Sequence, residues 1–125
     1  MNNGALGGIV SITANCAFTQ PWAALVIGSI GSFVLKLASS LLLHPKIRVD
    51  DPLDATPVHG FCGAWGVFAN GFFAVPRFVD GVSVSAGRGG GVFYGYGPTI
   101  GIQAITIICI VAWTVAWTFL TMGIM

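Results

Sequence analysis

From Thr99 to Met125 the chain holds not one charged side chain. A helix of roughly 20 apolar residues crosses the hydrocarbon core of a bilayer. Backbone polar groups in hydrocarbon must find partners within their own segment, which leaves helices and closed barrels as the spanning structures. That run therefore limits the folds open to the rest of the chain. Two earlier runs read the same way. Gly4 to Phe18 is apolar but short, and Trp22 to Leu43 is interrupted only by Lys36. The turn Thr19-Gln20-Pro21 parts them. A further run, Pro52 to Val75, carries Asp54 near its start and His59 about a turn later. Between Pro76 and Pro98 the chain is glycine-rich and irregular. These segments predict an all-α membrane protein with about four transmembrane helices, over residues 4–18, 22–43, 52–75 and 99–125.

Composition narrows the function. Only 7% of residues are charged and 55% are hydrophobic, against about 25% charged in soluble domains. Too little polar surface exists to face water on all sides. A strand barrel is set aside because the segments are too long and lack inside/outside alternation. A net charge of +1 without a Lys/Arg cluster leaves nucleic acid without a footprint. Cys16, Cys62 and Cys109 fall in apolar segments and read as small buried hydrophobes. Met1 is followed by "NNGALGG", with no basic region of a signal peptide. The abrupt apolar start and the ending "FLTMGIM" suggest part of something longer. Lys46 and Arg48, with Lys36 and His44 nearby, outnumber Arg77 and Arg88, which places the loop "RVDDP" in the cytoplasm and "GRGGGVFYGYG" outside. The Lys36 stem then snorkels to the cytoplasmic interface.

Small residues recur at helical spacing. Gly4 and Gly8, then Gly28 and Ser32, are four apart, and Gly60, Gly63 and Gly66 are three apart. Helices in lipid gain from close backbone approach rather than from hydrophobic exclusion, so these stripes read as close helix contacts.

The stretch "RVDDPLDATPVHGFCGAWG" carries the chemistry. Asp50 or Asp51 suits a helix N-cap with Pro52 at the first helical position. Asp54 reads as a structural tether. Seven residues past Pro52, His59 lies about 10 Å along a helix, too deep for an imidazole to snorkel. Two readings stand open for it: an ionisable group with a function, or a neutral imidazole bonded to a neighbouring helix. His59 and Cys62, three apart, share a helix face and could offer two metal ligands. Zinc wants three or four, so no metal and no other cofactor is expected. Cys62 has nothing nearby to activate it as a nucleophile, the glycine run lacks a phosphate-loop pattern, and no paired acid and base suggests an enzyme.

These residues also carry a resemblance. "DDPLDATPVHGFCGAWGVFANGFFA" resembles the signature before and within the tenth helix of the ammonium transporter family (Amt/Mep, related to Rh proteins). "GALGGIVSITANCAF" is similar to its eighth helix. "GGGVFYGYGPTIGIQAITIICIVAWTVAWT" resembles the last helix and the loop before it, in the plant and algal branch. The likeness runs over essentially the whole chain. It implies helices eight to eleven of an eleven-helix fold built from two inverted halves and assembled as homotrimers. It further implies ammonium or ammonia as substrate, a lipid bilayer (the plasma membrane) as setting, and an apolar pore with two hydrogen-bonded histidines, one per half. His59 matches the second histidine, with Thr13 and Ala55 as pore-lining positions. The first histidine and the outer gate belong to an N-terminal half not in this chain, so this polypeptide alone is expected not to transport. The competing expectation is a membrane module that assembles without transporting.

Overall fold

A computed structural model describes residues 2–46, 49–82 and 89–124. Arg48 and Arg88, which entered the orientation argument, lie outside the described residues. The regular elements among the described residues are all helices, with no strand. Helix α1 covers Asn2–Thr13, α2 Pro21–Leu42, α3 Cys62–Phe73, α4 Pro76–Val82 and α5 Pro98–Ile124. A π-helical turn, Thr56–Phe61, runs directly into α3, and a short 3₁₀ turn, Val92–Tyr94, precedes α5. Helices α2 and α5, of 22 and 27 residues, are long and apolar enough to cross a membrane. Proline stands at the start of α2, where its missing N–H costs nothing.

Residue pairs fix the directions. Gly7 faces Leu35 while Ser11 faces Gly31, so α1 and α2 run antiparallel. Gly7 faces Cys62 and Ser11 faces Gly66, so α1 and α3 run parallel. On the far side of α3, Gly71 meets Ile100 of α5.

Close approach holds α1 in place. The two stripes four apart pair with each other: a Cβ on Gly8 would stand 3.1 Å from the Gly28 carbonyl oxygen, and Ser32 Oγ donates to the Gly4 carbonyl at 2.7 Å. A Cβ on Gly66 would run into the Ser11 backbone. Side chains then tie carbonyls across helices. Ser11 Oγ donates to Gly7 O at 2.7 Å and also reaches Cys62 O at 3.3 Å. Asn15 Nδ2 donates to Gly66 O at 2.7 Å, and Trp65 Nε1 to Ile27 O at 3.1 Å. Cys62 Sγ sits on Gly31 O at 3.3 Å. Around these ties lie two apolar clusters, Ala23, Ile27, Ala69 and Phe73 in one, Leu35, Val58 and Cys62 in the other.

Helix α5 differs. None of its residues is buried. Three of its threonine hydroxyls turn inward on the helix itself: Thr106, Thr118 and Thr121 donate to Ile102, Thr114 and Trp117 carbonyls at 2.8–2.9 Å. That satisfies them without water, and leaves an apolar cylinder suited to lipid or to other helices.

The third apolar segment starts differently from the reading of Pro52 as first helical residue. Residues 52 and 53 form a turn, and regular winding begins at Thr56. The reason lies at Asp54, whose φ of 55° is left-handed. That conformation breaks a helix and costs an L-residue on the order of 1–2 kcal/mol.

Gly66→Ala is expected to destabilise the bundle by roughly 1–3 kcal/mol through overpacking against Ser11. Gly63→Ala, with nothing within 4 Å of the new Cβ, is expected to leave stability unchanged or slightly raised. Thermal unfolding of both variants in the same detergent, followed by circular dichroism, decides this. Equal midpoints for both would refute the contact.

Candidate functional site

The π-helical turn carries His59. Winding there is wider than in an α-helix, and the Cys62 N–H closes it on the Pro57 carbonyl, five residues back. Pro57 and Val58 are buried, whereas His59 and Gly60 are exposed on the opposite side. They face a cavity of about 650 Å³. Thr13 at the end of α1 and the following Ala14 form one wall, and Gly63, Ala64 and Val67 of α3 continue the wall that His59 begins. Ile107, Ile110, Val111, Thr114 and Val115 of α5 close the other side. Among the described residues, His59 is the only titratable group in that lining. No described residue hydrogen-bonds its imidazole, so both ring nitrogens are free to accept or donate a proton. The Thr13 hydroxyl donates to the Val10 carbonyl at 2.7 Å and keeps an acceptor lone pair.

Three readings of this region are sharpened. Gly60, Gly63 and Gly66 do not act alike. Only Gly66 makes a close helix contact; a Cβ on Gly63 would meet nothing, and one on Gly60 only Thr56 Cγ2 at 3.8 Å. The first two leave room for the cavity. Cys62 does not share the face of His59, because it is fully buried against Gly31. The cause is the π-helical turn, which advances roughly 80° per residue against 100° in an α-helix and so swings residues three apart to different faces. Among the described residues, no three His, Cys, Asp or Glu side chains gather as metal ligands. Ala55 is exposed just before the turn and is not in the cavity wall.

The three aspartates separate. Asp50 is exposed and makes no hydrogen bond among the described residues. Asp51 caps the π-helical turn: Oδ1 accepts from the Ala55 N–H at 3.0 Å and Oδ2 from the Thr56 N–H at 2.6 Å. These donors, Thr56 foremost, hold its carboxyl below the ordinary value of 3.8. The Asp54 carboxylate joins two other helices, with Oδ2 accepting from Asn3 Nδ2 at 2.8 Å and Oδ1 from Ser39 Oγ at 2.9 Å.

Sequence reasoning passed over Ser11, Asn15 and the α5 wall. Ser11 and Asn15 were visible as two polar residues four apart in an apolar run. The α5 lining had no signal, because that helix is apolar on every side.

An all-helical bundle with small-residue contacts, an apolar cavity and a lone imidazole within it defines a polytopic integral membrane protein. The comparisons give its family. The model of the Ammonium Transporter Family matches residues 1–125, and the chain belongs to that family, one of transporters rather than enzymes. It is 42% identical over 123 residues to ammonium transporter 1 member 1 of Solanum lycopersicum, covering 97% of this chain and 24% of that protein. With the putative ammonium transporter 1 member 5 of Arabidopsis thaliana it shares 43% over 123 residues, at the same coverage. The crystal structure of Mep2 from Saccharomyces cerevisiae superposes with a TM-score of 0.80 at 32% identity, over 94% of this chain and 26% of Mep2. The chain thus spans about a quarter of the length of the relatives it matches.

The cap at Asp51 predicts a pH dependence. Its folded value is depressed, so the cap stabilises the turn above the ordinary carboxylate value and is lost as pH falls through the lower, folded one. The Thr56 amide shift, followed by NMR in micelles as the pH falls, should titrate below 3.8. A midpoint at or above that value would show the cap is not made.

Proposed function

We propose that this chain forms one wall of an apolar conduit by which ammonium or ammonia crosses a membrane, with His59 carrying the proton. The observation that supports this most is a single free imidazole in an otherwise apolar cavity. A permanent charge in hydrocarbon is costly. Ammonium lowers that cost by giving its proton to an imidazole nitrogen and continuing as neutral ammonia. The imidazolium then releases the proton from its other nitrogen, which leaves the opposite neutral tautomer, and a ring flip or a proton exchange with a neighbouring group resets the ring. Thr13, farther along the same cavity lining, offers a hydroxyl lone pair toward the passing N–H groups. Ala55, exposed before the π-helical turn, keeps the approach from the cytoplasmic end free of bulk.

Membership of the family supports the substrate, and relatives four times as long support a conduit shared with the rest of a full-length protein. In this reading the facing wall and a second histidine come from that remainder, the whole assembles as a homotrimer, and it sits in the plasma membrane.

The test uses a full-length chimera in which residues 1–125 replace the matching region of the Solanum lycopersicum relative. His59→Ala should lower ammonium-driven current at least tenfold at unchanged surface expression, in line with the loss of a positioned proton carrier. Current equal to that of the unsubstituted chimera would remove His59 from the proton path. Gly63→Leu, which fills the cavity beside His59, should likewise cut ammonium flux severalfold while the protein still reaches the membrane.

A further inference from the structure

Among the described residues, the one with a side chain in left-handed backbone also carries the carboxylate that joins α1 to α2. Asp54 has φ 55°, and its two oxygens accept from Asn3 of α1 and Ser39 of α2 at 2.8 and 2.9 Å. Its carbonyl accepts from the Val58 N–H at 2.9 Å, directly before His59. One residue therefore sets the incoming chain direction, anchors it to two helices and supplies the first backbone acceptor of the π-helical turn.

That turn needs an anchor. π-helical winding is rare and persists as single turns, frequently at functional sites. Left to itself, the segment gains by rewinding as an α-helix continuous with α3. Rewinding would advance each residue further about the axis and rotate His59 relative to the buried pair Pro57 and Val58. The anchor on α1 has a second consequence, because α1 also carries Thr13, which lines the same cavity as His59. The same carboxylate thus ties both walls to one point.

We propose that Asp54 is the positioning residue of His59: its carboxylate, clamped by Asn3 and Ser39, keeps the π-helical turn wound and so holds the imidazole directed into the cavity. The functional consequence rests on the reading of His59 as proton carrier; the structural claim does not, and it is tested without transport.

The full chain is placed in lipid nanodiscs and observed by solid-state NMR. Two signals report on the clamp: amide exchange at Cys62, whose N–H closes the π-helical turn, and correlations between the His59 ring and the cavity walls of α1 and α5. Exchange at Val75, bonded to Phe18 O at the other end of the bundle, serves as control. Asp54→Ala should raise Cys62 exchange at least tenfold and remove the ring correlations, with Val75 unchanged. Asp54→Asn, which keeps an acceptor oxygen, should restore most of both. Should Asp54→Ala fail to fold, the double variant Asn3→Ala/Ser39→Ala removes the donors and leaves Asp54 in place, with the same changes expected. Ring correlations that survive in either variant overturn the proposal, as does their absence from the unsubstituted chain. Val75 exchange rising in step with Cys62 would reduce Asp54 to general support and also overturn it. Failure of the transport reading shows separately, as unaltered current in the His59→Ala chimera with these NMR results intact.

Discussion

Backbone contact between α1 and its two neighbours is the constraint on which the remaining structure depends. In lipid, burying a leucine against another helix gains little, because the acyl chains are equally apolar. What a helix can gain is the dispersion of closely touching backbones, and that requires residues with almost no side chain. Gly8 against Gly28 and Gly66 against Ser11 supply it on two sides of α1. At such separations the Ser11, Asn15 and Ser32 side chains reach carbonyl oxygens of the next helix or of their own. Every cross-helix bond of this group is made possible by a missing Cβ nearby.

The same contacts place the cavity. With α1 drawn tightly to α2 and α3, Thr13 ends in the cavity lining beyond the level of the Ser11–Gly66 contact. Helix α5 meets α3 near Gly71 and Ile100, toward one end, and leaves a gap further along. Tight contact at one level and a gap at another are two results of one arrangement. The imidazole then occupies the gap because Pro57 and Val58 take the buried side of the turn.

Much of this was legible in the residues. The charge-free run at the C-terminus follows from length, and the reading of Thr19-Gln20-Pro21 as a turn with the span beginning at Trp22 falls one residue from the observed start of α2 at Pro21. That Gly4/Gly8 and Gly28/Ser32 make helix contacts follows from spacing; that they pair with each other does not. Helix phase inside the third segment was not legible. Reading Pro52 as a first helical residue assumed α-winding from there onward, and nothing in "DDPLDATPVHG" announces a left-handed aspartate or a π-helical turn. Both depend on Asn3 and Ser39, which approach Asp54 only once α1 and α2 are in place. Tertiary contacts override local preference there, and the error carried forward: Cys62 was set on the face of His59, and three glycines were given one role.

Helix geometry resolves that single role into two. Residues three apart on an α-helix advance 300°, which is 60° short of a full turn. A glycine row at that spacing drifts around the helix instead of running along one face. From Gly60 to Gly66 the drift is about 120°, and more where the winding is π-helical. The row therefore begins at the cavity beside His59 and ends against the Ser11 backbone. One repeated spacing gives open volume at one end and backbone contact at the other. A spacing of four, as in Gly4/Gly8, drifts only about 40° and stays on one side of the helix, where Gly8 meets the Gly28 carbonyl and Ser32 bonds the Gly4 carbonyl.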